Sequence, residues 1–80
     1  MDLKPGMFLY DVTDKSISVL IRRFWSYEGQ EPPVYARRNP EFFKVWVWET
    51  VSSKEGKTFW SETGLLNLIK ADIIIVLGDI

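Results

Sequence analysis

Phe42-Phe43-Lys44-Val45-Trp46-Val47-Trp48-Glu49-Thr50-Val51 decides the fold class of this chain. In an extended strand alternate side chains share a face, which groups Trp46 with Trp48 and sets Phe43, Val45 and Val47 opposite them. Both faces are apolar, and the residues are the aromatic and β-branched types that fit a pleated surface. Such a strand reads as central, with one side in the core and the other covered or used for binding. If Val45 and Val47 line the interior, both indoles stand outside it, and an exposed patch of that size marks a contact surface. Downstream, Ser52-Ser53-Lys54-Glu55-Gly56-Lys57 carries turn chemistry, so Thr58-Phe59-Trp60 is expected to return antiparallel to Trp46 and Trp48.

Working outward toward the N-terminus, Pro5-Gly6 is a turn signal that launches a strand over Met7 to Val12. Thr13-Asp14-Lys15-Ser16 turns the chain into a longer strand, Ile17 to Tyr27. Strict alternation there places Ile17, Val19, Ile21, Arg23 and Trp25 on one face and Ser18, Leu20, Arg22 and Phe24 on the other. Ser26 to Glu41, punctuated by Gly29, Pro32, Pro33 and Pro40, reads as a long loop. Toward the C-terminus, Ser61 to Ile69 has room for a helical turn, and Gly64 argues for a 3₁₀ turn or a short α-turn. Ile73 to Leu77 is the last strand, ended by Gly78. The unbroken aliphatic run wants burial on both sides, so it either closes a barrel beside the first strand or pairs with a second subunit. The expected architecture is all-β: five antiparallel strands over residues 1–80, one domain, with a short helical turn before the last strand.

Composition narrows the function classes. The 80 residues are 46% hydrophobic and include five Phe, four Trp and three Tyr, so few core positions supply large buried area. There is no Cys and no His, which removes disulfides, thiolate or imidazole metal sites and the usual neutral-pH general base. The acidic residues are scattered, without a calcium-loop pattern, and the glycines form no phosphate-cradling motif. Asp11 with Asp14, or Glu49 with Glu62, are the carboxylate pairs that strand pairing could bring close, and a barrel this small offers no deep cleft to raise one pKa. These features point away from an enzyme, a metal site and a bound cofactor. Met1-Asp2-Leu3-Lys4-Pro5 lacks the pattern of a targeting signal and Ile73 to Leu77 is too short to span a bilayer, so a cytoplasmic protein without a membrane partner is expected.

The order Leu3-Lys4-Pro5-Gly6-Met7-Phe8-Leu9-Tyr10, then Ile17-Ser18-Val19-Leu20-Ile21, then Phe43-Lys44-Val45-Trp46-Val47-Trp48, then Trp60, Leu65-Leu66 and an Ile-rich final strand resembles the small SH3-like barrel accessory proteins encoded by tailed phages. The likeness spans nearly the whole chain. It implies an SH3-like five-stranded barrel, an accessory or structural role without assigned activity, and the cytoplasm of a bacterial host. Ser16-Ile17-Ser18 stands where family members commonly have a glycine-rich strand start, and the middle loop is longer.

The tryptophans admit three readings: core filling, a groove formed with Tyr10 or Phe59 for a proline-rich or methylated-lysine peptide, or a homo-oligomer interface. Charge adds a second clue. Residues 22–44 hold five basic and three acidic side chains, a local +2 against −3 for the rest of a chain whose net charge is −1. Trp25, Arg37, Arg38, Trp46, Trp48 and Trp60 are therefore the expected contact residues for a protein partner or a second copy. The competing class is single-stranded nucleic acid, with Arg22, Arg23, Arg37 and Arg38 on phosphates and the aromatics as stacking platforms. Against it, a sequence pI near 5.3 gives little positive field.

Overall fold

The computed structural model describes residues 2–27 and 44–79. Among the described residues five antiparallel strands form one sheet in the order β4-β3-β2-β1-β5, built from β1 (Met7–Asp11), β2 (Ser16–Tyr27), β3 (Lys44–Ser52), β4 (Gly56–Ser61) and β5 (Ile74–Asp79), with helix α1 (Glu62–Lys70) before the last strand. This is the expected all-β, SH3-like strand order. Among the described residues the barrel is not closed: β4 and β5 are the two edges of the sheet, and β5 pairs with β1. The long loop expected over Ser26 to Glu41 is shorter at its start, because Ser26 and Tyr27 still pair with β3. Its remainder, with Arg37, Arg38 and also Phe43, lies outside the described residues.

Local chemistry sets the turns. Pro5 and Gly6 occupy the middle of a type II turn, in which Met7 N–H donates to the Lys4 carbonyl and Gly6 takes a φ of 89°, a conformation that a side chain would strain. Asp11 and Asp14 each accept from the backbone N–H and the hydroxyl two residues on, at Thr13 and Ser16, which closes the β1–β2 turn. The Asp11 bonds hold its carboxyl below the usual carboxylate range, Thr13 hydroxyl first among the causes.

One irregularity in β2 rearranges the faces. Leu20 pairs with Thr50 and Arg22 with Glu49, so Ile21 is an extra residue, a bulge. An inserted residue inverts the alternation beyond it. Ser18 and Leu20 consequently share the inner face with Arg23 and Trp25, while Ile17 and Val19 share the outer face with Arg22 and Phe24. The grouping expected from strict alternation is corrected at this point.

The core lies on the inner face: Met7, Leu9, Leu20, Trp48, Leu65 and Ile74, with Leu3, Trp60, Leu68, Ile69 and Val76 packed against it. Helix α1 supplies Leu65, Leu68 and Ile69 at helical spacing and covers the inner face. It is a full nine-residue α-helix, longer than the single turn expected. Ser61 caps it, its hydroxyl accepting from Gly64 N–H at 3.1 Å, and a Cβ at Gly64 would lie 2.8 Å from that oxygen. Gly64 therefore accommodates the cap and does not interrupt the helix. Removing the cap with Ser61→Ala is expected to cost about 1 kcal/mol. Gly64→Ala alone should change stability by less than about 0.5 kcal/mol, since helix propensity gained is offset by a displaced cap, and should stabilise by up to ~1 kcal/mol once Ser61 is alanine. Urea melts of the four proteins in this cycle check the coupling.

The helix ends in a Schellman motif. Ile73 N–H reaches the Leu68 carbonyl, Asp72 N–H reaches that of Ile69, and Asp72 takes the left-handed φ of 60° usually given to glycine. That turn delivers the chain to β5, where Ile74 enters the core while Ile75 and Leu77 remain exposed.

Candidate interaction surface

β2 and β3 form a long hairpin that runs past the core, in a molecule extending 41 × 25 × 23 Å. Trp46 and Trp48 share the inner face as expected, yet the structure separates their fates. Trp48 pairs with Trp60 across β4, is only 1% exposed, and donates its indole N–H to Glu62 Oε1 at 3.1 Å. It is core, so the expectation that both indoles stand outside is corrected for Trp48. The β3–β4 ladder ends at the pair Val47 and Ser61, one position before Trp46. With β2 beside it and no β4 partner, Trp46 is 40% exposed. Trp60 is half-buried and packs against the core. Val47 is buried on the opposite side, so both faces of β3 are covered at this point.

Trp25 lies directly across the ladder from Trp46, itself 46% exposed. The two rings meet edge to face, centroids 5.1 Å apart and planes at 64°. Arg23 sits 3.7 Å above the Trp46 ring and donates to Glu62 Oε2 at 3.0 Å. Glu62, the first residue of α1, thus holds the buried indole with one oxygen and the arginine with the other. Beside them a shallow groove of about 280 Å³ is lined by Asp2, Leu3, Arg23, Glu62 and Leu66. At the hairpin's far end Lys44 lies over the Tyr27 ring, 5.7 Å from its centroid.

The sequence candidates therefore divide. Trp25 and Trp46 come together at the surface, Trp48 and Trp60 belong to the interior, and Arg37 and Arg38 lie outside the described residues. Tyr10 and Phe59 are on the outer face, away from the indoles, which removes the groove proposed with them. Arg22 and Arg23 point to opposite faces. Arg22 is 3.0 Å from Glu49 and covers Phe24 at 4.5 Å, while Arg23 is committed to Glu62 and Trp46. Glu62 was the partner that sequence reading missed. Its signal was present, an acidic residue straight after an N-cap serine and within helical reach of a tryptophan strand.

At the opposite end of the inner face, a cleft between Leu9, Asp11, Asp14, Ser16, Ser18, Thr50, Ser52, Thr58 and Trp60 has room for about 20 Å³, the size of a water and too small for a metabolite. The Thr50 and Thr58 hydroxyls bond each other, and Thr50 also donates to the Thr58 carbonyl. Asp11 at its rim has its carboxyl held low, opposite to what a general acid at neutral pH requires. Among the described residues no three Asp or Glu side chains group as a metal site. No described helix is long and apolar enough to cross a membrane.

Comparison of the chain with protein-family models, with curated proteins and with solved structures gives no match.

Proposed function

We propose that this chain is a non-catalytic interaction module, an accessory or structural protein of the kind tailed phages encode, which binds a protein partner through Trp25 and Trp46. The exposed indole pair carries the reading. Two rigid aromatics held edge to face, beyond the reach of the core, add nothing to the interior and present a large amphipathic surface at low entropic cost. Arg23 orients Trp46 and is itself fixed by Glu62, so the platform is pre-organised. A proline-containing segment suits such a surface, because a pyrrolidine ring packs flat on an indole and its extended conformation is already set.

Single-stranded nucleic acid is the competing ligand, since bases also stack on indoles. The placement of Arg22 and Arg23 on opposite faces, each paired with a carboxylate, disfavours it: neither guanidinium reaches phosphate without giving up its partner. The test is a nitrogen–proton correlation spectrum of the four indole N–H groups during titration with a proline-rich peptide library and, separately, with oligothymidylate. Movement of the Trp25 and Trp46 signals by peptide, lost in Trp46→Ala, supports the proposal. Movement by oligothymidylate that weakens steeply with salt replaces it with the nucleic-acid reading. Signals indifferent to both overturn the site.

A further inference from the structure

The outer side of the sheet, opposite the core, is also apolar. Phe8 and Tyr10 of β1, Ile17 and Val19 of β2, Val51 of β3, Phe59 of β4 and Ile75 of β5 share one outer face, through the pairs Phe8 with Val19, Val19 with Val51, Tyr10 with Ile17 and Tyr10 with Ile75, and the bulge at Ile21 adds Phe24 to it. An outer sheet face facing water is normally polar. Here Phe8, Ile17, Val51, Phe59 and Ile75 are all 37 to 46% exposed. Phe24 and Phe59 touch edge to face at 6.1 Å across β3, so the apolar surface is continuous there.

We infer that this face is a homodimer interface in which the outer sheets of two copies pack on each other about a twofold axis. Two observations select a second copy as the occupant. The first is charge: the outer-face ion pair, Arg22 with Glu49, is neutralised within the chain, and Lys57 lies at the β4 margin, so two identical faces meet without central like-charge repulsion. A partner recognised by charge would find only a neutral ion pair and one marginal cation to read. The second is area. At roughly 40% exposure and about 200 Å² per large side chain, the five residues leave on the order of 400 Å² of apolar surface per copy. Two such faces, with the half-buried Tyr10, Val19 and Phe24 added, come to about 1,000 Å², the floor for a specific interface and the size of a reversible one. Sheets that pack face to face lie about 10 Å apart, with strands crossing at about 30°. The twofold arrangement is self-complementary, so each copy presents the same outer-face patch to the other. The indole pair faces away from this interface and stays accessible, so the inference stands or falls independently of the function proposed above.

Sedimentation velocity over a concentration series, at low and high ammonium sulfate, tests it. The wild-type chain, 9.4 kDa, should sediment as a reversible dimer that strengthens with sulfate, as apolar association does. Phe8→Lys and Ile17→Asp, both at exposed positions, should each raise the dissociation constant at least about tenfold while leaving the correlation spectrum of a folded protein. Trp46→Ala should leave it unchanged. Mixed labelled and unlabelled wild-type chains should give inter-copy proton contacts confined to the outer-face side chains, a readout that needs no variant. A monomer up to millimolar concentration, or a dimer broken by Trp46→Ala and not by Phe8→Lys, overturns the inference.

Discussion

Trp48→Ala is expected to cost about 4 kcal/mol, the range of a buried aromatic truncated in a core that cannot collapse around the loss. An 80-residue domain commands roughly 4 to 12 kcal/mol in total, so this variant should lose about a third of its stability at least, and all of it at the lower end of that range. Trp46→Ala, two residues away on the same face of the same strand, should cost about 1 kcal/mol, because the side chain is 40% exposed and loses one ring contact and one cation–π contact. Urea melts of the two variants decide the point, and Trp48→Phe provides a folded intermediate case. Equal costs would mean that β4 and α1 do not cover Trp48 as described.

The second large effect falls on Glu62. Replacing it with leucine removes the acceptor of the buried Trp48 N–H and the partner of Arg23 together. An unpaired buried donor costs about 1 to 3 kcal/mol, and the lost negative charge at the helix N-terminus adds a few tenths to ~1 kcal/mol. The partly exposed Arg23 pair adds little. Glu62→Leu should therefore destabilise by about 3 kcal/mol and Glu62→Gln, which keeps an oxygen for the indole, by about 1 kcal/mol or less. In a Trp48→Phe background the difference between the leucine and glutamine variants should shrink, since no indole N–H remains to be satisfied. A leucine variant as stable as the glutamine one would show that the indole bond contributes nothing. Because Glu62 also anchors Arg23 over Trp46, Glu62→Gln should loosen the surface indole without unfolding the domain.

Much of the fold was legible because turns carry local chemistry. Pro5-Gly6, the Asp14-Lys15-Ser16 turn and Ser52 to Gly56 fix where strands begin and end, and the pairing of Trp48 with Trp60 follows from the loop between them. Face assignment failed in β2 because the bulged residue, Ile21, is an ordinary β-former in a run of them. No glycine or proline marks the insertion, and one extra residue reverses everything after it. The helix was underestimated for a related reason. Gly64 reads as a breaker by propensity, whereas its role is steric, to leave room for the Ser61 hydroxyl. The division between Trp46 and Trp48 could not be read from periodicity at all. Alternation assigns both to one face, and only the length of β4 and the start of α1 decide how far along that face the core reaches. The same blind spot hid the apolar outer face, assembled from five strands through pairings that no local pattern encodes.

Fluorine NMR of the protein labelled with 5-fluorotryptophan tests the central claim, that the inner-face indoles split into a buried anchor and an accessible pair. After assignment by single Trp→Phe variants, a soluble paramagnetic probe should broaden the Trp25 and Trp46 resonances strongly, Trp60 weakly, and Trp48 hardly at all. Trp48 broadened as much as Trp46, or Trp25 and Trp46 shielded as well as Trp48, would contradict the account.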